Sequence, residues 1–250
     1  MKKFTTYIIS DIHLKVRWIE LFIDSLNGEY DEIVFLGDYM DDFGDNKEKV
    51  ETTAHWLKQS LYKPKRIHLF GNHDISYAYP YTQGLYCSGY TMEKSKCINS
   101  ILNRKEWNMM KLYHQTHNNW YLSHGGLTKH HVFHPIYGFK IEFLNDLCEK
   151  ALEQALIGNT LPLLRAGWAR GGKHPIGGIT WCDFDHEFKP IKNLNQIVGH
   201  TPHNIPLYKY IPNKKKSTSI NVCLDTHNRH IGVLTDGEFS VIDNPILGSW

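Results

Sequence analysis

The chain has 250 residues, 41% of them hydrophobic and 22% charged, which is enough for one sizeable core and requires no second one. Lys and Arg number 28 against 26 Asp and Glu, a formal net charge of +2, which argues against attachment to nucleic acid by bulk charge. No apolar stretch approaches the roughly 18 residues of a membrane span, and the basic start Met1-Lys2-Lys3 precedes a segment too short and too rich in threonine for a secretory leader, so a soluble cytoplasmic protein is expected.

In chain order, residues 4–10 read as a buried strand around Tyr7, Ile8 and Ile9, and residues 16–26 as a helix with Trp18, Leu21, Phe22 and Leu26 at helical spacing. Residues 32–36 form a second apolar strand. Residues 46–61 form a second helix (Val50, Ala54, Leu57, Leu61), closed before Pro64, and residues 66–70 a third strand. This βαβαβ start predicts a largely parallel sheet with right-handed crossovers, whose ligands collect beyond the carboxyl ends of the strands. The tyrosine-rich segment 76–90 is expected to be a packed loop, with an aromatic wall beside the site as the alternative. Residues 93–113 and 139–157 read as helices, 120–123 and 196–198 as short strands, and Lys214-Lys215-Lys216 as a solvated turn. Strands at 219–224, 231–235 and 238–242 follow, the last two joined at Asp236-Gly237. One domain over 1–250 is expected, with helical insertions or a cap at about 76–118 and 135–165. Cys87, Cys97, Cys148, Cys182 and Cys223, odd in number and without a C-x-x-C pair, are expected to be free, mostly buried thiols.

Five strand ends carry polar residues of related chemistry: Asp11-x-His13, Gly37-Asp38-x-x-Asp41, Gly71-Asn72-His73-Asp74, His124-Gly125-Gly126 and Gly199-His200-Thr201. Any one alone is weak, because a strand-terminal Asp or His more often caps a helix or bonds a loop. The ordered set is specific. Oxygen and imidazole donors without thiolate suit Mn, Fe, Zn, Co or Ni. Two ions about 3.5–4 Å apart need a bridging carboxylate and can activate water while clamping a phosphoryl group.

These motifs, from residue 11 to 203, resemble the calcineurin-like metallophosphoesterases. Gly37-Asp38-Tyr39-Met40-Asp41, Gly71-Asn72-His73-Asp74, Ser123-His124-Gly125-Gly126-Leu127 and Gly199-His200-Thr201 are most similar to the protein Ser/Thr phosphatase branch, including its bacterial and phage members. The resemblance implies an α/β fold, the αββα sandwich, with two mixed sheets flanked by helices. It implies two divalent ions, Mn foremost, with Asp11 and His13 on one, Asn72, His124 and His200 on the other, and Asp38 on both. His73 would be the general acid, oriented by Asp41, and a metal-bridging hydroxide the nucleophile.

The chain departs from that pattern in three places. The branch carries a phosphate-gripping arginine after the second Asp, where this chain has Asp42, which exchanges attraction for repulsion toward a dianion. A second arginine is expected after a Trp-containing strand resembled by residues 178–183, yet none follows; Arg170 precedes it, either touching substrate or, the favoured reading, lying at the surface with its stem on Trp168. His203 is one residue too far from His200 for the family's second ligating histidine, so a place near substrate or at the surface is favoured. Phosphomonoester hydrolysis, on phosphoserine, phosphothreonine or phosphotyrosine of proteins, is the leading expectation. Symmetrical dinucleoside tetraphosphate hydrolysis comes next, then a phosphodiesterase or nuclease, third because no basic stripe accompanies the motifs. The alternative of another class is a phosphoesterase-like protein-binding scaffold: Asp42 favours it, and retention of His73 and Asp41 opposes it. The expected partner is a phosphorylated substrate, a phosphoprotein or a small phosphoester or nucleotide, with no membrane and with nucleic acid disfavoured.

Overall fold

The computed structural model describes residues 3–134, 138–211 and 218–246. The first half runs β1 (Thr5–Ile9), α1 (Arg17–Ser25), β2 (Glu32–Phe35), α2 (Lys47–Leu61), β3 (Arg66–His68), α3 (Asn72–Ala78), α4 (Met92–Ile101) and α5 (Arg104–Trp107). It continues with β4 (Tyr113–Gln115), β5 (Trp120–Ser123), a two-residue pair β6 (Phe133–His134) and β7 (Gly138–Phe139), and α6 (Leu144–Leu156). The remaining strands are β8 (Asn195–Val198), β9 (Leu207–Ile211), β10 (Ser219–Cys223), β11 (His230–Thr235) and β12 (Glu238–Asp243).

Two five-stranded mixed sheets result, ordered β12-β11-β1-β2-β3 and β4-β5-β8-β10-β9. In the first, β1, β2 and β3 are parallel, with Ile8 opposite Val34 and Val34 opposite Ile67; in the second, β5, β8 and β10 are parallel. The period of two along each strand sorts side chains to opposite faces. Ile8, Val34, Leu36 and Leu69 meet Trp120, Leu122, Ile197 and Val222 from the other sheet, whereas Ile9, Ile33 and Phe35 turn to the helices, among Ile19, Phe22, Ala54 and Leu57. Strand–helix periodicity thus produces the layered sandwich. Helix α2 begins where the Asn46 side chain accepts the Lys49 N–H at 2.9 Å.

The structure corrects several expectations. Residues 93–113 are not one helix: α4 ends at Ile101, Asn103 caps the short α5, and Tyr113 opens β4. The segment 178–183 is a turn rather than a strand, with the Trp181 and Cys182 N–H groups on the Gly178 carbonyl. Strand β9 escapes the sequence pattern because its polar residue faces inward, Lys209 bonding the carbonyls of Phe184, Asp185 and Phe188 while Tyr208 and Tyr210 stack outside. The expected turn at Lys214-Lys215-Lys216 lies outside the described residues, as do residues 135–137 of the second insertion. All five cysteines are free, three of them buried. Among the described residues no helix is long and apolar enough to cross a membrane.

Candidate active site

Parallel pairing within each sheet collects the carboxyl ends of β1, β2, β3, β5 and β8, and the two sheets join there. The His200 N–H donates to the Asp11 carboxylate at 3.0 Å, and His124 Nδ1 donates to the Leu36 carbonyl at 2.9 Å. The backbone at Asp11, His13, Asp38, Asp41 and His200 has φ between 43° and 68°, a region that costs a non-glycine residue about 1–3 kcal/mol. Asp74 offsets this cost in the Asp38 loop. Its buried carboxylate accepts N–H groups from Asp38 (2.7 Å), Tyr39 (2.8 Å), Met40 (3.2 Å) and Gly71 (2.9 Å). A Cβ on Gly71 would strike Asp38, so only glycine lets the two loops approach.

The six expected metal-binding side chains converge. Ligand atoms of Asp11, His13 and Asp38 lie within 4.8 Å of one another, as do those of Asp38, His124 and His200. Asp38 belongs to both groups, its Oδ2 lying 3.2 Å from His124 Nε2 and 3.7 Å from His13 Nε2. Asn72 joins the second group, its Oδ1 being 3.0 Å from His124 Nε2. The donor set fits divalent cations: His200 Nε2 is buried with no hydrogen-bond partner, a costly state for a polar atom unless a cation satisfies it. Burial pushes His200 down, assisted by His124 and Arg170, and keeps it a neutral donor. Burial would raise Asp38, but His124, His73 and His13 together hold it well below the usual carboxylate range.

A third group, Asp41, His73 and Cys87, meets the same spacing but is hydrogen-bonded within itself, with Cys87 Sγ 3.4 Å from His73 Nδ1. His73 Nδ1 stands 3.0 Å from Asp41 Oδ2, and the His73 N–H donates to Asp38 Oδ1 at 3.0 Å. Burial alone would lower His73, yet Asp38 and Asp41 outweigh it and push the imidazole up to about 12. The ring therefore holds its proton beside the acidic cluster.

The three residues weighed for substrate contact stand differently, and Arg170 departs from the favoured surface reading. Arg170 reaches the site, with Nη2 3.2 Å from both the His200 carbonyl and Thr201 Oγ1, while its Nε pairs with Asp183 at 2.9 Å. Asp42 pairs with Lys15 at 3.5 Å. His203 faces Asp185 at 3.5 Å, and its N–H donates to the Asp225 carbonyl. Sequence reasoning missed the donors around Asp41, Tyr77 and Lys94, and missed Asn228, which donates to the Asp11 carbonyl at 3.1 Å. Asp74 was visible as the third residue of α3, the position from which a side chain bonds the preceding amide.

The family model for calcineurin-like phosphoesterases matches residues 4–204. No curated protein matches the sequence. Among solved structures, the chain is similar to a protein serine/threonine phosphatase from Saccharomyces cerevisiae with similarity to human phosphatase PP5 (TM-score 0.51, 12% identity, covering 97% of this chain and 80% of that one). It is also similar to a metallophosphoesterase from Sphaerobacter thermophilus (TM-score 0.46, 16% identity, covering 96% and 87%). With the fold, the paired N/O donor groups and the family match in agreement, the chain belongs to the calcineurin-like phosphoesterases and is a metal-dependent phosphoric ester hydrolase.

Proposed function

We propose that the enzyme hydrolyses phosphomonoesters, those of phosphoserine, phosphothreonine or phosphotyrosine on proteins included, with His73 as the general acid. The observation that carries this reading is the His73–Asp41 pair, 3.0 Å long and adjoining the shared carboxylate Asp38. Asp11 and His13 would hold one ion, Asn72, His124 and His200 the other, and Asp38 both. Bound ions would supply Lewis acidity, activating water and neutralising phosphoryl charge. Asp41 occupies His73 Nδ1, which leaves Nε2 for the leaving group. As the ester P–O bond breaks, its electron pair stays on the leaving oxygen, which takes the Nε2 proton, while a water oxygen forms the new P–O bond and gives up one proton, so that a net proton returns to His73 through solvent.

A dianionic monoester needs cations beyond the ions, and position 42 has lost one. Two features answer this. Lys15 sits against Asp42 and offsets its charge, and Arg170 stands at the His200 carbonyl.

The test compares p-nitrophenyl phosphate with bis-p-nitrophenyl phosphate, using metal-stripped protein resupplied with manganese. Monoester turnover should dominate and depend on the added ion, and turnover of a phosphoserine peptide, whose poor leaving group needs the proton, should fall about 10²-fold or more in His73→Asn with metal content unchanged. Dominant diester turnover would overturn the monoester reading, and undiminished phosphoserine turnover in His73→Asn would overturn the acid.

A further inference from the structure

Asp41 is enclosed by the segment that follows α3. Its Oδ2 faces His73, while its Oδ1 accepts the Tyr77 hydroxyl at 2.6 Å and the Lys94 ammonium at 2.7 Å. Lys94 lies on α4, its side chain only 16% exposed, and its ammonium also bonds Asp45 at 2.7 Å. On the remaining side the backbone of Gly89 passes so close that a Cβ there would lie 2.8 Å from Asp41 Cγ. Tyr77 is itself fixed: its ring packs 5.1 Å from that of Tyr90, and its carbonyl accepts the Asn99 amide at 2.9 Å. Two donors on one oxygen and a wall behind the carboxyl carbon remove the rotation that an acid side chain otherwise keeps about its last bond.

We propose that Tyr77, Gly89 and Lys94 form a clamp that fixes the Asp41 carboxylate, and through it the His73 ring, at the angle required for proton delivery. The tyrosine-rich segment, which reads in sequence as a loop or an aromatic wall, and α4 are then a positioning device for the acid. The inference rests on His73 being the general acid. Lys94 does not touch substrate and acts through Asp41.

Leaving groups separate this role from general support of the fold, because a poor leaving group needs the proton and p-nitrophenolate does not. Lys94→Met should lower kcat about 10–30-fold on a phosphoserine peptide and less than about threefold on p-nitrophenyl phosphate, with KM held within about twofold. Lys94→Arg should recover most of the loss. Gly89→Ala, which keeps every charge, should reproduce the selective defect. In the His73→Asn background, Lys94→Met should cost nothing further, since its effect passes through the missing ring. Equal losses on both substrates, or losses that add to His73→Asn, would overturn the clamp in favour of a structural role.

A readout independent of turnover separates this inference from the reading it rests on. The His73 Nδ1–H proton resonance should lie far downfield in the wild type and be lost or broadened in Lys94→Met, with the fold checked by thermal unfolding. An unchanged resonance overturns the clamp whatever the activity. Absence of monoester turnover by the wild type overturns only the function proposed above.

Discussion

The two sheets supply the site with different chemistry, and one orients the other. The first sheet brings the carboxylates Asp11 and Asp38 and the Asp41–His73 pair, all within the first 73 residues, with the amides of the Asp38 loop held by Asp74. The second brings His124 and His200, and each is aimed by the first: His124 by the Leu36 carbonyl, His200 by the Asp11 carboxylate. The anionic half is thus self-organised by Asp74, and the imidazole half is placed against it. Asp38, within reach of both donor groups, is where the two halves become one site.

The largest expected effect tests that dependence. Asp38→Asn should lower kcat/KM by about 10³-fold or more, roughly 4 kcal/mol of transition-state stabilisation, and reduce bound manganese below two ions per chain by elemental analysis. His200→Asn should cost about 10²-fold and remove one ion only. Loss of both ions in His200→Asn would show that the imidazole half supports the anionic half as well.

The halves can also be compared by acid titration, since each has a neutral histidine outside the expected donor set, buried His68 in one and half-buried His131 in the other. On β3, His68 accepts the Tyr39 hydroxyl at 2.8 Å and stacks on Phe35; burial, then Arg66, pushes it down to about 3. After β5, His131 bonds the Gly177 carbonyl at 2.7 Å, and burial, then His130, pushes it down to about 4. The unfolded chain takes up these protons near pH 6.5 and the folded chain refuses them, so their stability is complete above pH 6.5. It is lost as pH falls toward 4, by up to about 1.4 kcal/mol per pH unit per histidine. Urea unfolding at pH 7 and pH 5 should show the drop. His68→Gln and His131→Gln should each flatten it by a similar amount, because both folded-state values lie below pH 5; unequal flattening would locate the acid sensitivity in one half.

The smallest effect concerns the loop that lost its arginine. Lys15 and Asp42 are both partly exposed, and such a pair is worth at most about 1 kcal/mol. Lys15→Ala should therefore raise KM for a dianionic monoester by no more than about fivefold and leave the diester unchanged. An equal change for both substrates would remove Asp42 from the question of charge selectivity.

Most of the first half was legible because local rules govern it. Apolar periodicity located β1, α1, β2 and α2 to within a residue or two, and the polar strand ends followed from where those strands stop. The helix expected over 93–113 failed because apolar spacing continues across the Asn103 cap, which breaks it. Strand β9 failed because Lys209 turns inward to carbonyls that belong to residues 184–188, partners that no local window contains. Tyr77 and Lys94 were missed as site residues for the same reason: Asp41 lies 36 and 53 positions away.

By itself, then, the sequence determined the identities and order of the N/O donor residues that the structure brings together, because donor chemistry and strand-end spacing are local properties of the chain. Only the tertiary structure decided which donors share Asp38, that Arg170 reaches His200 while Asp42 is tied to Lys15, and that α4 closes on Asp41. Those are contacts between distant segments, set by how two sheets and their helices pack, and packing depends on the whole core rather than on any window of residues.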